Sequence, residues 1–117
     1  MPVEYYQVMG QAAPNALTET DLINVSSGYN YVLSSLVICN RGPSGTTFRI
    51  SVSVGGNPTA NSDYLYYDLP IEGHDTFIAT IGLTLYENDI LRIYAGNANL
   101  TFQAFGAIID YYGSTNI

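Results

Sequence analysis

A length of 117 residues is typical of one domain, and such a chain buries about 65% of the surface that it exposes when unfolded. Charged residues make up 11% of the chain, lysine is absent, and three arginines stand against ten carboxylates, giving a formal net charge of −7. Because a surface that follows phosphates needs several cations on one face, this composition excludes nucleic acid as an expected partner.

The N-terminus and the single cysteine indicate where the protein is made and which cysteine-based sites are excluded. Met1-Pro2-Val3-Glu4 lacks the basic and apolar regions of a signal peptide, and no apolar run approaches a membrane span. We therefore expect an unprocessed protein made in the cytoplasm, with no membrane contact. Cys39 is the only cysteine, which excludes an intrachain disulfide and a cysteine-based zinc site. A buried thiol is the simplest interpretation, and a disulfide between chains is the alternative.

Turn residues divide the chain into short stretches of β-branched and aromatic residues with period two, and helical periodicity is absent. Pro70 is expected to end the fifth stretch, and Gly82 and Gly106 are expected to mark bulges or close packing. In chain order, the predicted strands are 4–9, 17–25, 31–39, 47–54, 63–69, 76–85, 90–95 and 100–110.

The clearest strand is 47–54, which the pattern pairs with 31–39 in a central hairpin through a loop rich in glycine. About eight strands without helices predict an all-β fold, an antiparallel two-sheet β-sandwich of the jelly-roll or immunoglobulin-like kind. We expect one domain over 1–117, whose ends, 1–16 and 111–117, are extended segments. Along 47–54 one face carries Phe48, Ile50, Val52 and Val54, and the other carries Arg49, Ser51 and Ser53.

Residues that could do chemistry are few. His74 is the only histidine and lies in a Gly-His-Asp turn, where a solvated side chain is expected. We predict no catalytic residues, no metal site and no cofactor, and hence no enzyme; a buried His74 beside two carboxylates in a cleft would reverse this. Calcium held by Glu72 and Asp75, or by Glu87 and Asp89, is an open alternative. The acidic pairs beside turns are Asp63/Asp68, Glu72/Asp75 and Glu87/Asp89.

The eleven tyrosines, several of them adjacent, are the most informative side chains. Adjacent residues of a strand point to opposite faces, so one ring of each pair has to point away from the core of the chain. Tyrosine is enriched at interfaces, and lysine, which commonly protects strand edges, is missing. Together these features predict a chain that forms part of an assembly, in which neighbouring proteins cover these rings. The alternatives are that the sandwich tolerates surface tyrosines, or that Tyr64, Tyr66 and nearby loop acids bind a saccharide. The predicted interface residues are Tyr5, Tyr6, Tyr64, Tyr66, Tyr67, Tyr111, Tyr112, Arg41, Arg49 and Arg92.

Five segments carry a resemblance to a known family: 36–42 (LVICNRG), 46–52 (TTFRISV), 64–68 (YLYYD), 81–85 (IGLTL) and 99–106 (NLTFQAFG). As a pattern of strands and turns, they resemble small β-rich virion structural proteins of tailed bacteriophages. The resemblance runs over 32–106, about two thirds of the chain. Segment 17–28 is also similar, except that Ser26-Ser27-Gly28 replaces a turn with proline; 1–16 and the tail after 110 are not matched.

The resemblance implies a non-enzymatic virion protein made in the host bacterial cytoplasm. It would decorate or cement the capsid, or attach to the tail, neck or baseplate. Its partners would be copies of itself, with a homotrimer as the first expectation by analogy, and other virion proteins such as capsid or tail subunits. The alternative is a module of a phage tail fibre that binds host-surface saccharides.

Overall fold

The computed structural model describes residues 3–111. These residues form nine strands and two one-turn 3₁₀ helices, Val54–Gly56 and Asn61–Asp63. No helix in this range is long and apolar enough to cross a membrane. The strands are β1 Val3–Ala12, β2 Thr20–Asn24, β3 Tyr29–Asn40, β4 Thr46–Ser53, β5 Tyr64–Ile71, β6 Thr76–Ala79, β7 Leu83–Leu85, β8 Ile90–Ala95 and β9 Leu100–Asp110.

The strands form two antiparallel sheets packed face to face, which confirms the predicted sandwich. The five-stranded sheet has the order β1-β9-β3-β6, with β7 also paired to β3, and the four-stranded sheet has the order β2-β8-β4-β5. If β6 and β7 are counted as one interrupted strand, the pairing is nested. The first strand, β1, pairs with the last, β9; β2 pairs with β8; β3 pairs with β6 and β7; and β4 pairs with β5. This nested pairing is a jelly roll, not an immunoglobulin-like order.

The predicted central hairpin is wrong. β3 lies in the five-stranded sheet and β4 in the four-stranded sheet, and they face each other across the core. Each strand buries one apolar face, so both faces meet in the interior without the strands pairing edge to edge. Asn40, 1% exposed, fixes the crossing, because its side-chain amide donates to the carbonyl oxygens of Ser44 and Glu72 and its oxygen accepts from the Gly42 N–H.

The predicted strand 76–85 is two strands. β6 pairs with β3 from Leu36 to Cys39, β7 pairs with β3 from Tyr31 to Leu33, and β3 has a bulge between these two stretches. The break coincides with the bulge, because the extra residue in β3 shifts its register. Gly82 lies in the break, and a Cβ there would meet nothing within 4 Å, so it marks neither close packing nor a paired bulge. Gly106 is tightly packed, as predicted.

Two further expectations about strand ends are corrected. Pro70 lies inside β5, which runs to Ile71; β5 is the outer strand of its sheet, where a missing N–H costs no ladder hydrogen bond. Val54 does not continue the inward face of β4, because the chain turns there into a 3₁₀ helix and leaves the side chain exposed.

The core fills the space between the sheets with aliphatic side chains around an aromatic cluster. Phe48, fully buried, has its ring centroid 5.5 Å from Phe77, 6.2 Å from Tyr66 and 6.3 Å from Phe102. These rings come from β4, β5, β6 and β9, so the cluster ties both sheets together. Its tilted and edge-on geometry is the favourable one for aromatic pairs.

Candidate interaction surfaces

The polar residues that could support catalysis do not converge on a site. His74 is exposed in the turn after β5, with φ of 56°, and its N–H donates to the Gly42 carbonyl oxygen at 2.9 Å. Asp63 accepts the Ala60 N–H at 2.8 Å and the Ser53 hydroxyl at 3.3 Å. Within residues 3–111, no group of three or more His, Cys, Asp or Glu side chains is placed to hold a metal ion.

Asp89 is a buried carboxylate with a structural role. It is 6% exposed, and its Oδ1 accepts the Gly55 N–H while its Oδ2 accepts the Tyr86 N–H, both at 2.9 Å. The side chain caps its own turn and ties that turn to the end of β4. Because both oxygens already accept backbone hydrogen bonds, Asp89 is poorly placed to serve the calcium alternative.

Arg49 is held by its own chain on the outer face of the four-stranded sheet. Its guanidinium carbon lies 4.2 Å from the ring centroid of Tyr67 and 4.4 Å from that of Tyr94. Its Nε donates to Asp68 Oδ1 at 2.7 Å and its Nη2 to Asp68 Oδ2 at 3.3 Å. This bidentate hydrogen bonding lowers the pKa of Asp68 and raises the pKa of Arg49.

Arg92 fastens the long β4–β5 connection to the same face. Its Nη1 donates to the Ser53 hydroxyl, the Asn57 carbonyl oxygen and the Thr59 hydroxyl at 2.8 to 2.9 Å, and its Nε donates to Asp21 at 3.1 Å. Ser53 lies on the outer side of β4 and is nevertheless buried, because this connection covers it. Arg41 donates to the Ala98 carbonyl oxygen at 2.9 Å. All three predicted interface arginines thus hydrogen-bond within the chain.

Tyr64, Tyr66 and Tyr67 are distributed by bulges in β5. Tyr64 is opposite Ser51 and Tyr66 is opposite Ile50, with Leu65 as the extra residue between them, so Tyr64 and Tyr66 lie on opposite faces. The Tyr66 ring packs inward, 5.6 Å from Phe77. Tyr67 points outward, 60% exposed and 4.9 Å from the Tyr64 ring. Of the Tyr66-Tyr67 pair, one ring faces the core and one faces away, as predicted.

Tyr5 and Tyr6 of β1 also point to opposite faces. Tyr6 lies on the outer face of the five-stranded sheet, is 80% exposed, and donates its hydroxyl hydrogen to Glu4 at 3.0 Å. Tyr111 is 43% exposed, and its hydroxyl oxygen accepts from the Asn30 amide at 3.2 Å. Tyr112 lies outside the described residues.

Tyr5 borders a hollow where the five-stranded sheet extends past the four-stranded sheet. There the inner face of the longer sheet lacks a covering layer, which leaves an open hollow of about 490 Å³. Partial burial raises the pKa of Tyr31, and the neighbouring Tyr29 adds to the effect. The residues that line the hollow are Tyr5, Gln7, Ser26, Tyr29, Tyr31, Ile108 and Asp110.

The outer face of the five-stranded sheet carries very few charged residues. Its outward positions follow from the alternation with buried neighbours and from the strand register. Cys39 is one of them, so its thiol is partly exposed, and the simplest interpretation of the sequence, a buried thiol, is wrong. Among these positions Glu4, at one corner, is the charged one. The rest are Tyr6, Val8, Gln11, Asn30, Val32, Ser35, Val37, Cys39, Thr76, Ile78, Thr84, Thr101, Gln103, Phe105, Ala107 and Ile109.

No protein-family model matches the sequence, and no curated protein matches it. A chain in the structure of infectious bursal disease virus, Gx strain, matches with a TM-score of 0.54 and 12% identity, covering 98% of this chain and 33% of that chain. A Bacillus endospore appendage, from a novel family of disulfide-linked pili, matches with a TM-score of 0.45 and 16% identity over 95% of this chain and 84% of that one.

A pentameric capsid protein isolated from metagenomic phage sequences matches with a TM-score of 0.40 and 18% identity, covering 96% of this chain and 64% of that chain. Of these three, the virus match alone has a TM-score that bears on the fold. At 12% identity it shows a shared architecture, and this chain spans about a third of the length of its counterpart. The chain therefore shares its sandwich fold with one portion of a chain from a virus structure.

Proposed function

We propose that this chain is a non-enzymatic structural protein of a virus particle. The observation that carries the proposal is the shared fold: 98% of this chain superposes on part of a chain from the structure of infectious bursal disease virus. In the finer form of the proposal, the particle is a tailed bacteriophage. The chain then decorates or cements the capsid, or attaches to the tail, neck or baseplate.

The disposition of polar side chains supports a structural role. His74, Asp63, Asp68 and Asp89 lie in turns, an ion pair and caps instead of meeting in a cleft. With a net charge of −7 and each arginine already hydrogen-bonded, the chain presents no cationic surface for nucleic acid over the range that the structure describes. A structural subunit also needs copies of itself or neighbours to bind, and we take a homotrimer as the first stoichiometry to test.

The test is to locate the chain on purified particles. We expect it to remain with virions through density-gradient centrifugation and a high-salt wash, at a fixed copy ratio to the major capsid protein by quantitative mass spectrometry. Cryo-electron microscopy of the same particles should then show sandwich-shaped density at the capsid surface, neck, tail or baseplate. Recovery of the chain only at the top of the gradient, absent from washed particles, would contradict the proposal.

The hollow favours a second candidate, a module that binds host-surface saccharides. Three tyrosine rings offer faces on which a sugar can stack, and Gln7, Ser26 and Asp110 offer polar groups for its hydroxyls. The hollow lies within the volume range of small-molecule sites. Tyr64 and Tyr66 cannot form such a site together, because they lie on opposite faces.

A glycan array tests whether the chain binds saccharides in this hollow. We expect binding of neutral glycans that Tyr5→Ala weakens at least about tenfold, since the variant removes a stacking face at the open edge strand. Tyr67→Ala is the matched control, because Tyr67 is similarly exposed on the other sheet and should leave binding unchanged. No binding to any glycan, or equal loss in both variants, removes the candidate.

A further inference from the structure

We propose that copies of this chain bind one another through the outer face of the five-stranded sheet. The inference rests on the proposed function, which requires assembly, and adds the surface that performs it. The partner is a second copy of the same chain.

The charge distribution selects this face. Two copies each carry a formal charge of −7, so they repel wherever acidic surfaces meet. Arg49 and Arg92 cannot compensate readily, because they are paired with Asp68 and Asp21 on the other sheet, and the guanidinium of Arg41 donates to the Ala98 carbonyl oxygen. Across four neighbouring strands, Glu4 is the only charged residue on the described outer face of the five-stranded sheet, and it lies at the corner of that face. Contact there therefore costs the least in charge repulsion and desolvation.

The same face exposes apolar side chains that no part of the described chain covers. Tyr6 is 80% exposed, Ile78 is 61% exposed and Val8 is 44% exposed, with half-buried Phe105 and Val37 between them. The outer face of the four-stranded sheet is different, because the β4–β5 connection and the Arg49 and Arg92 networks cover much of it. An interface centre depleted in charge and rich in aromatic and aliphatic groups is the usual composition.

The dimensions of the face suit a stable contact. At a spacing of about 4.8 Å, four strands span about 19 Å, and eleven residues at about 3.3 Å extend about 36 Å, a flat area of about 690 Å². A standard interface takes about 800 Å² of accessible surface from each partner. Because side chains project from the sheet, the accessible area of the face exceeds its flat area and reaches this size.

A basic partner would bind elsewhere. Glu19, Asp21, Asp68, Glu72 and Glu87 lie on the four-stranded sheet, in its approaches or in loops, and a cationic protein would be attracted to those surfaces. The outer face of the five-stranded sheet offers such a partner almost no charge to bind. A second copy, which carries nine of its ten carboxylates away from this face, is the partner that this face fits.

The experiment measures self-association by sedimentation velocity from about 1 to 100 μM, a range that brackets ordinary micromolar affinities. We expect the wild-type chain to associate, and Ile78→Glu to raise the Kd at least about tenfold, because it places an unpaired carboxylate in a desolvated contact. Leu65→Glu is the matched control: it introduces the same charge at an exposed leucine on the other sheet and should associate like the wild type. Circular dichroism and thermal unfolding confirm that both variants are folded.

Cys39 supplies an independent measurement on the same face. Its reaction with a maleimide should slow as the wild-type chain associates, and should stay fast at all concentrations in Ile78→Glu. A monomeric wild type at the highest concentration, or association that Ile78→Glu and Leu65→Glu leave equally intact, overturns the inference. Either result leaves the particle-location test standing, so failure of the face and failure of the proposed function are distinguishable.

Discussion

Replacing Phe48 by alanine should lower the free energy of unfolding by about 4 kcal/mol. Phe48 is fully buried and contacts rings from three other strands, so its removal loses apolar burial and leaves a cavity between the sheets. The rings of Phe77, Tyr66 and Phe102 come from different strands and cannot all move in to fill it. Because the two sheets meet here, the loss should be felt by the whole sandwich as one transition.

Denaturant unfolding followed by circular dichroism at low protein concentration measures this loss. Phe105→Ala is the control, since it removes the same group from the outer face of the five-stranded sheet, where Phe105 is half-buried. It should cost about 1 kcal/mol, in proportion to the smaller area withdrawn from water. Equal losses in the two variants would show that Phe48 does not hold the sheets together.

Replacing Gly106 by alanine should destabilise the chain by about 3 kcal/mol. A Cβ at this position would overlap the Val32 carbonyl oxygen on the neighbouring strand and would lie 3.0 Å from Met9 Cε. Methionine can move aside, but a backbone carbonyl within the β3–β9 ladder cannot move without breaking strand pairing. Glycine is required at position 106 because the backbones of β3 and β9 approach each other closely there.

Gly82→Ala is the matched comparison, because a Cβ there meets nothing within 4 Å. Its stability should change by no more than about 0.5 kcal/mol, or increase slightly, since alanine reduces the freedom of the unfolded chain. Thermal melts of the two variants measure the difference. A Gly106→Ala melting temperature equal to that of Gly82→Ala would show that β3 and β9 can separate locally at no cost.

Local pattern predicted most strands because the alternation of side chains is a property of neighbouring residues. In 47–54 it separated Phe48 and Ile50, which are buried, from Arg49 on the outer face. Strand pairing was out of reach, because it joins distant residues; Val3, for example, is opposite Asp110. The hairpin prediction failed for this reason, since proximity along the chain favoured β3 with β4 while burial of both apolar faces set them in opposite sheets.

The candidate site was predictable only in part. Adjacent tyrosines correctly indicated that one ring of the Tyr66-Tyr67 pair faces away from the core, but the bulge at Leu65 that separates Tyr64 from Tyr66 has no signature in composition. The hydrogen bonds of the arginines within the chain could not be predicted from the sequence, because their partners, such as Asp68 and Asn57, are brought near only by folding. The outer face of the five-stranded sheet was missed because it combines positions from five strands, although the scarcity of charged residues in 100–109 was a visible signal.

The unequal edges of the two sheets limit how copies of the chain can add to one another. β5 is interrupted by two bulges and Pro70, β2 has five residues and a bulge, and β6 and β7 are short. β1, with ten residues and a single bulge between Val8 and Gly10, is the longest outer strand among the described residues. Pairing of two β1 edges would therefore use up the available edge and close on itself, so growth by edge pairing ends at two copies and does not propagate as a fibre.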